Sequence, residues 1–99
     1  MSRRKIIIVR AVCQATGIPL ENIRKKSRKR ELVEARRCIM YFMRKAGFSL
    51  QDVGKMFGQD HTTAIHALQK AEDLKFSDPS YRDYMETMSM IISGKLNAK

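Results

Sequence analysis

The amino-acid sequence predicts an all-α fold, a compact domain of five or six helices that contains a helix-turn-helix. Three observations support this fold class. Apolar residues recur at helical spacing in the longest patterned segment, residues 32–46. Glycine, proline and capping residues divide the rest of the chain into shorter helical segments. A tight turn at Gly58 joins two of these segments, and two helices linked by a glycine-containing turn form a helix-turn-helix.

The first segment, residues 5–16, contains a β-branched run that is compatible with a strand, but a helix is preferred. Its apolar residues at helical spacing are Ile8, Ala11, Val12 and Ala15. Gly17 is suited to the position just past the C-terminus of this helix. Pro19 then begins a short helical turn that reaches Ile23, because proline is tolerated in a first turn.

A basic loop, residues 24–30, separates this turn from the longest helix. Six of its residues are Lys or Arg, and only Ser27 interrupts them. The apolar stripe of the following helix comprises Leu32, Ala35, Cys38, Ile39, Phe42, Met43 and Ala46. Its opposite, solvent-facing side is predicted to carry Arg37, Tyr41 and Arg44.

The helix-turn-helix follows a helix end at Gly47. Ser49 and the acidic residue three positions later resemble a capping box, which places the start of the next helix at Leu50. Gly54 would let a neighbouring helix approach closely. After the turn at Gly58, Asp60 is the predicted N-cap of the second helix, since its carboxylate can accept hydrogen bonds from free amides.

The closing helix is predicted to begin at Asp78-Pro79, an N-cap and first-turn pair, and to end at Gly94. Its apolar stripe consists of Tyr81, Tyr84, Met85, Met88, Ile91 and Ile92. Because no linker, repeat or low-complexity tract divides the chain, we expect a single domain over residues 1–99, with its core between residues 5 and 93.

The net charge of +10 is distributed unevenly. Residues 1–30 carry ten Lys or Arg against one Glu, whereas residues 31–76 carry seven against six acidic residues. Such asymmetry indicates a polyanionic partner, with the phosphate backbone of nucleic acid as the first candidate. An anionic membrane surface is a weaker alternative, because the basic loop lacks large apolar residues.

Composition predicts a soluble, cytoplasmic protein. The mean hydropathy is −0.40, and no apolar run approaches the ~20 residues of a membrane span. Cys13 and Cys38 are expected to be buried thiols rather than a disulfide. His61 and His66 do not share one helical face, and no Cys or carboxylate pair completes a zinc shell, so no metal site is predicted. No catalytic residue is predicted either, because the sequence shows no nucleophile elbow and no acidic pair in an obvious pocket.

The first turn of the second helix of the helix-turn-helix is the predicted site. In this motif the N-terminal residues of the second helix enter the major groove of DNA. A carboxylate accepts a hydrogen bond from cytosine, and a Thr or His carbon packs on a thymine methyl. Whether Asp60 acts as a cap alone or also contacts a base remains open at this point.

These residues resemble the C-terminal DNA-binding domain of the bacterial chromosomal replication initiator DnaA. The matching motifs are Ala35-Arg36-Arg37, Met40-Tyr41, Ser49-Leu50, Val53-Gly54, Phe57-Gly58, Asp60-His61-Thr62-Thr63 and His66-Ala67. The Asp-His-Thr-Thr run is the most specific of them. The resemblance covers roughly residues 5 to 93 and implies a fold similar to that of the Trp repressor.

The resemblance implies monomeric binding to double-stranded DNA at a short asymmetric site, the DnaA box, in replication initiation, its regulation or transcription control. It implies an arginine of the basic loop in the minor groove, with Arg28 as the nearest match and Arg30 as the alternative. Arg36 would contact the DNA backbone or a base edge. The full set of expected DNA-binding residues is Lys26, Arg28, Arg30, Arg36, Arg37, Ser49, Leu50, Asp60, His61, Thr62, Thr63 and His66. Tyr41 would either touch the DNA backbone or pack beneath the basic loop.

The chain departs from the family pattern in two places. The family has Gly-Gly-Arg before Asp-His, whereas only Gly58-Gln59 precede Asp60 here, so the preferred DNA sequence is expected to differ. The sequence contains no Gly-x-x-x-x-Gly-Lys-[Ser/Thr] phosphate loop. We therefore expect neither ATP hydrolysis nor a bound nucleotide or other cofactor, and a stand-alone small protein.

Two other hypotheses remain open. In the first, the protein docks on a partner protein through the closing helix, with the face of Tyr81, Tyr84 and Met88 exposed. The second, RNA binding through the basic loop, is weaker, because no aromatic stacking platform lies near the loop.

Overall fold

The computed structural model describes residues 2–97, and over that range it contains six α-helices and no strand. In chain order the helices are α1 (Arg3–Thr16), α2 (Leu20–Ile23), α3 (Arg30–Lys45), α4 (Leu50–Lys55), α5 (His61–Ser77) and α6 (Pro79–Leu96). The all-α fold class predicted from the sequence is therefore confirmed.

Helix α3 lies at the centre of the fold and packs against α1, α2, α4 and α5, while α6 covers α1 and α5. The buried residues of α3 are Leu32, Ala35, Cys38, Ile39, Met40, Tyr41, Phe42 and Met43. Fully buried side chains from the surrounding helices include Ile8, Ile23 and Val53. Burial of such aliphatic side chains, each contributing about 1.5–3 kcal/mol, is the main stabilisation of the fold.

The first segment is a helix rather than a strand, as preferred. Ser2 Oγ accepts a hydrogen bond from Lys5 N–H at 3.2 Å and caps its start, and Gly17 at φ 72° follows its end. Ala15 is exposed, however, so the packed stripe ends one turn earlier than predicted.

The prediction for Tyr41 is wrong, because this residue is only 5% exposed. Helix α5 covers this side of α3, and Lys75 Nζ donates a 2.7 Å hydrogen bond to the Tyr41 hydroxyl. The ammonium groups of Lys45 and Lys75 lie 5.4 and 5.0 Å from the centroid of the Tyr41 ring. Tyr41 is thus buried with its hydroxyl hydrogen-bonded, and it packs under α5 rather than under the basic loop.

The predicted helix end at Gly94 is also wrong, because α6 continues to Leu96. Leu96 packs against the core, and Lys95 Nζ donates to Gln14 Oε1 of α1 at 3.4 Å. These tertiary contacts hold the last turn in helical form despite the low helix propensity of glycine.

The face of α6 that motivated the docking hypothesis is largely used inside the fold. Met85, Met88 and Ile92 are buried against the core, whereas Tyr84 and Ile91 lie at its edge and are 39% and 44% exposed. Because Met88 is only 2% exposed and α6 packs on α1, the observation that favoured docking through this helix is lost.

Candidate nucleic-acid interface

Two glycines determine the geometry of the turn between α4 and α5. Gly58 has a φ of 65°, in the left-handed region where a side chain is strained. A Cβ added to Gly54 would lie 2.6 Å from the carbonyl oxygen of Gln59 and 2.8 Å from that of Asp60. The close approach of α4 to the start of α5 that the sequence predicted therefore requires glycine at position 54.

Asp60 caps α5 as predicted. Its Oδ1 accepts a 2.9 Å hydrogen bond from the backbone N–H of Thr63. That hydrogen bond is the main cause that lowers the pKa of the Asp60 carboxyl, so it is ionised at neutral pH. Asp60 is exposed, so an external donor can approach its carboxylate.

The N-terminal part of α5 presents polar side chains to solvent. His61, Thr62, Thr63 and His66 are all exposed, while Ala64 between them is fully buried against the core. The positive end of the helix dipole and its free amides favour an anion at this end of the helix. The residues at the start of α5 that are predicted to contact DNA, here called the reading residues, are therefore together at one accessible end of the helix.

The start of α4 shares a cleft of about 270 Å³ with the start of α5. The cleft is lined by Arg44, Ser49, Leu50, Gln51 and His61. Ser49 caps α4 by accepting from Asp52 N–H at 3.1 Å, and Arg44 donates to the carbonyl of Phe48 at 3.0 Å. Arg44 and Gln51 were not among the predicted DNA-binding residues, although the outward position of Arg44 on α3 was visible in the sequence.

The two arginines proposed for the minor groove, Arg28 and Arg30, lie in different environments; we call this minor-groove residue the arm. Arg28 and Lys26 are exposed within the loop, whereas Arg30 is the first residue of α3. Arg30 Nε forms a 3.0 Å ion pair with Glu34 one turn later. Such exposed pairs contribute little to stability, and the Arg30 side chain remains 90% exposed. Both arginines are thus accessible, Arg28 within the loop and Arg30 at the start of α3.

A second cleft places the beginning of the basic loop next to the helix-turn-helix. It is lined by Lys5, Arg24, Asp52, Lys55 and Met56, which belong to α1, the loop and the α4 end of the helix-turn-helix. Helix α4 therefore borders the α5 cleft at its first turn and the loop at its later residues.

Arg36, for which the resemblance implies a DNA contact, has three intramolecular hydrogen-bond partners. Its Nε donates to the carbonyl of Ile23 at 2.7 Å. Its Nη2 donates to the carbonyls of Lys25 and Ser27 at 2.8 and 2.5 Å. The side chain is partly buried between α3 and the loop, so it contacts the loop from beneath.

Arg37 is directed toward α6 and is not brought together with the other predicted residues. Burial raises the pKa of the Tyr81 hydroxyl to about 12, and a hydrogen bond from Arg37 partly counteracts that rise. The guanidinium of Arg37 thus lies beside the first turn of α6 and not beside the start of α5.

Other types of site find little support in the described part of the chain. Residues 2–97 contain no group of three or more His, Cys, Asp or Glu suited to hold a metal ion. Within the same range, no helix is both long and apolar enough to cross a bilayer. Cys13 and Cys38 are free thiols, and burial raises the pKa of Cys38 to about 12 while Cys13 is only partly buried.

Comparison with known proteins gives consistent matches. The family model of the bacterial dnaA protein helix-turn-helix matches residues 6–71. The chromosomal replication initiator protein DnaA of Thermodesulfovibrio yellowstonii is 33% identical over 91 residues, which cover 90% of this chain and 21% of that protein. DnaA of Thermus thermophilus is 35% identical over 83 residues, which cover 82% of this chain and 19% of that protein. The chain thus spans about a fifth of the length of these relatives.

Proposed function

Since this chain belongs to the family of the bacterial DnaA helix-turn-helix, we propose that it binds double-stranded DNA at a specific sequence related to the DnaA box. The main support is the accessible start of α5. There a capped helix end presents the carboxylate of Asp60, the imidazole of His61 and the hydroxyl of Thr62 to solvent. These groups suit hydrogen bonds and methyl contacts with base edges in the major groove.

The remaining contacts of this proposal position the protein on the duplex. We assign contacts with the phosphate backbone to Arg44, Ser49 and Leu50, because they line the cleft at the start of α4 and the first helix of a helix-turn-helix crosses the backbone. Lys26 and Arg28 extend the cationic surface, and Arg28 enters the adjacent minor groove. An arginine is favoured there, because a narrow A·T-rich minor groove has an enhanced negative potential.

In biological terms, we propose a role in replication initiation, in its regulation, or in transcription control through occupation of such sites. The matched relatives are chromosomal replication initiators, and their names supply the first of these roles. We further propose that residues 1–99 act as one DNA-binding unit, as a monomer and without a bound nucleotide.

The proposal is tested by measuring the affinity for labelled duplexes that carry the family box or a scrambled box, across a series of salt concentrations. The affinity ratio should reach at least about 10³. Equal affinity for the two duplexes at every salt concentration would exclude sequence-specific binding. Competition by single-stranded DNA and RNA in the same assay tests the RNA alternative.

The preferred site is best found without assuming the family box. The turn before Asp60 is shorter than in the family and has Gln59 in place of the arginine. Selection of bound duplexes from a random pool should therefore yield a site that resembles the DnaA box and differs at one or more positions. Recovery of an unbiased pool would contradict the proposal.

Protein docking through α6 remains the second hypothesis, with less support. Met85, Met88 and Ile92 are buried, so the large apolar side chains of α6 that remain exposed for a partner are Tyr84, Met90 and Ile91. Size-exclusion chromatography at several concentrations tests self-association, which the monomer proposal does not expect.

A further inference from the structure

Arg36 donates hydrogen bonds to the carbonyl groups of Ile23, Lys25 and Ser27. These carbonyls take no part in the helical hydrogen bonds of α2 and α3. Helix α2 ends at Ile23, and the loop beyond it has two short internal links. The Ser27 N–H donates to the Lys25 carbonyl at 2.8 Å, and the Lys29 N–H donates to Ser27 Oγ at 3.2 Å. Backbone hydrogen bonds tie the two ends of the loop to α2 and α3, and the guanidinium of Arg36 adds a side-chain connection from α3 to the middle of the loop.

Charge alone does not explain why an arginine occupies this position. The loop carries six cations, and a further cation beneath them adds repulsion. The guanidinium does, however, present several donors in one rigid plane, which matches carbonyls on alternate residues. Lysine has the same charge but places its donors on one atom, so it cannot reach the three carbonyls in the same way.

The hydrogen bonds of Arg36 also order the backbone around Arg28. Ser27 is held by Arg36 through its carbonyl and by Lys29 through its hydroxyl, and Arg28 lies between Ser27 and Lys29 with its side chain exposed. The backbone on both sides of Arg28 is thus fixed in the free protein. An arm that is ordered before binding loses less conformational entropy when it meets the duplex.

We propose that Arg36 is a positioning residue: it holds the basic loop so that Arg28 is directed toward the minor groove, and it does not itself contact DNA. This inference rests on the proposed function, since it assigns the loop a role on DNA. It also predicts that Arg36 restrains the loop in the absence of DNA, and this prediction does not depend on that function.

The restraint of the loop in the free protein is tested by hydrogen exchange of the amides of Ser27 and Lys29. Arg36→Lys should accelerate exchange at both amides and leave the amides of α5 unchanged. Arg37→Lys is the matched control, because it makes the same chemical change on α3 at a side chain directed toward α6. Unchanged loop exchange in Arg36→Lys, or equal acceleration in both variants, would overturn the inference.

The role on DNA is tested by a double-mutant cycle. The affinities of the wild type, Arg36→Lys, Arg28→Ala and the double variant are measured for the preferred and scrambled duplexes. Arg36→Lys should weaken binding to the preferred duplex about tenfold, and this loss should nearly disappear when Arg28 is already Ala. The salt dependence should stay unchanged, because lysine keeps the charge. An undiminished loss in the Arg28→Ala background would show that Arg36 acts independently of the arm and overturn the inference.

The two measurements separate the possible failures. If the wild-type protein does not discriminate between duplexes, the proposed function fails, while the exchange experiment still decides whether Arg36 holds the loop. Circular dichroism establishes that the variants are folded. Should Arg36→Lys not fold, Arg36→Gln, which retains a planar donor, is judged by hydrogen exchange and by the double-mutant cycle, without the salt comparison, because glutamine removes the charge.

Discussion

Gly54 and Gln59 are joined backbone to backbone across the turn between α4 and α5. The N–H of Gln59 donates to the carbonyl of Gly54 at 2.9 Å, and a Cβ on residue 54 would lie 2.6 Å from the carbonyl oxygen of Gln59. Because Gln59 directly precedes the cap of α5, this pair sets the position of the helix end that carries the proposed reading residues.

Gly54→Ala should therefore reduce both stability and DNA affinity. The added methyl group meets backbone rather than a flexible side chain, so the free energy of unfolding should fall by about 1–3 kcal/mol. The matched control is Gly94→Ala within α6, where an added Cβ meets nothing within 4 Å. That change should raise the free energy of unfolding by about 0.5–1 kcal/mol. Urea denaturation compares the two, and a loss in both variants of similar size would contradict the explanation.

His61→Ala and Thr62→Ala should each reduce discrimination between the preferred and scrambled duplexes. A good base contact contributes about 1–3 kcal/mol of discrimination, whereas stability should change little because both side chains are exposed. Gln69→Ala is the control, since this exposed residue lies two turns further along α5. Competition titrations measure the ratio of the affinities for the two duplexes. An effect of Gln69→Ala equal to that of Thr62→Ala would contradict the assignment of base contacts to the start of α5.

The Asp60 cap predicts a stability difference that depends on pH. Its pKa is lower in the folded protein than its ordinary value of 3.8, so the carboxylate stabilises the fold above that value. This stabilisation is lost as the pH falls through the lowered pKa. Asp60→Ala should thus lower the melting temperature at neutral pH, and the gap to wild type should narrow below pH 3.8. Thermal melts over this range test it, and a gap that stays constant into strong acid would contradict the role of the charge.

The parts of the fold that could be predicted from sequence depend on local signals. The apolar stripe of α3 and the caps at Ser49 and Asp60 involve residues within one or two turns of each other. Tyr41 and Gly94 could not be placed this way. The partner of Tyr41 is 34 positions away, and the hydrogen bond that ties down the turn after Gly94 spans 81 positions.

The same distinction applies to the candidate site. Exposure of His61 and Thr62 follows from their place at the start of a helix in a known motif. The cleft that adds Arg44 is formed by the end of α3 and the starts of α4 and α5, and the angles at which these helices meet are known only from the fold. The sequence motif contained Arg36 but gave no sign that its side chain turns back to loop carbonyls.

Tyr41→Phe should destabilise the protein by removing the hydrogen-bond acceptor of Lys75. The loss is expected to be about 1 kcal/mol at neutral pH, since the pair is partly exposed. The hydrogen bond to Tyr41 raises the pKa of Lys75, so the stabilisation is present below the ordinary value of 10.5 and is lost as the pH rises through the raised pKa. Denaturant unfolding of both proteins from neutral to alkaline pH measures this, and no difference at neutral pH would contradict it.

Lys26→Ala and Arg28→Ala should affect DNA binding in different ways, although both remove one charge from the same loop. Lys26 is expected to contact phosphate alone, so its loss should weaken all duplexes equally and reduce the salt slope by about one. Arg28 is proposed to enter the minor groove, where it senses groove width, so its loss should weaken the preferred duplex more than the scrambled one. Titrations of both variants against both duplexes at several salt concentrations separate the two effects. Equal weakening of the two duplexes by Arg28→Ala would remove it from the minor groove and leave it as a phosphate contact like Lys26.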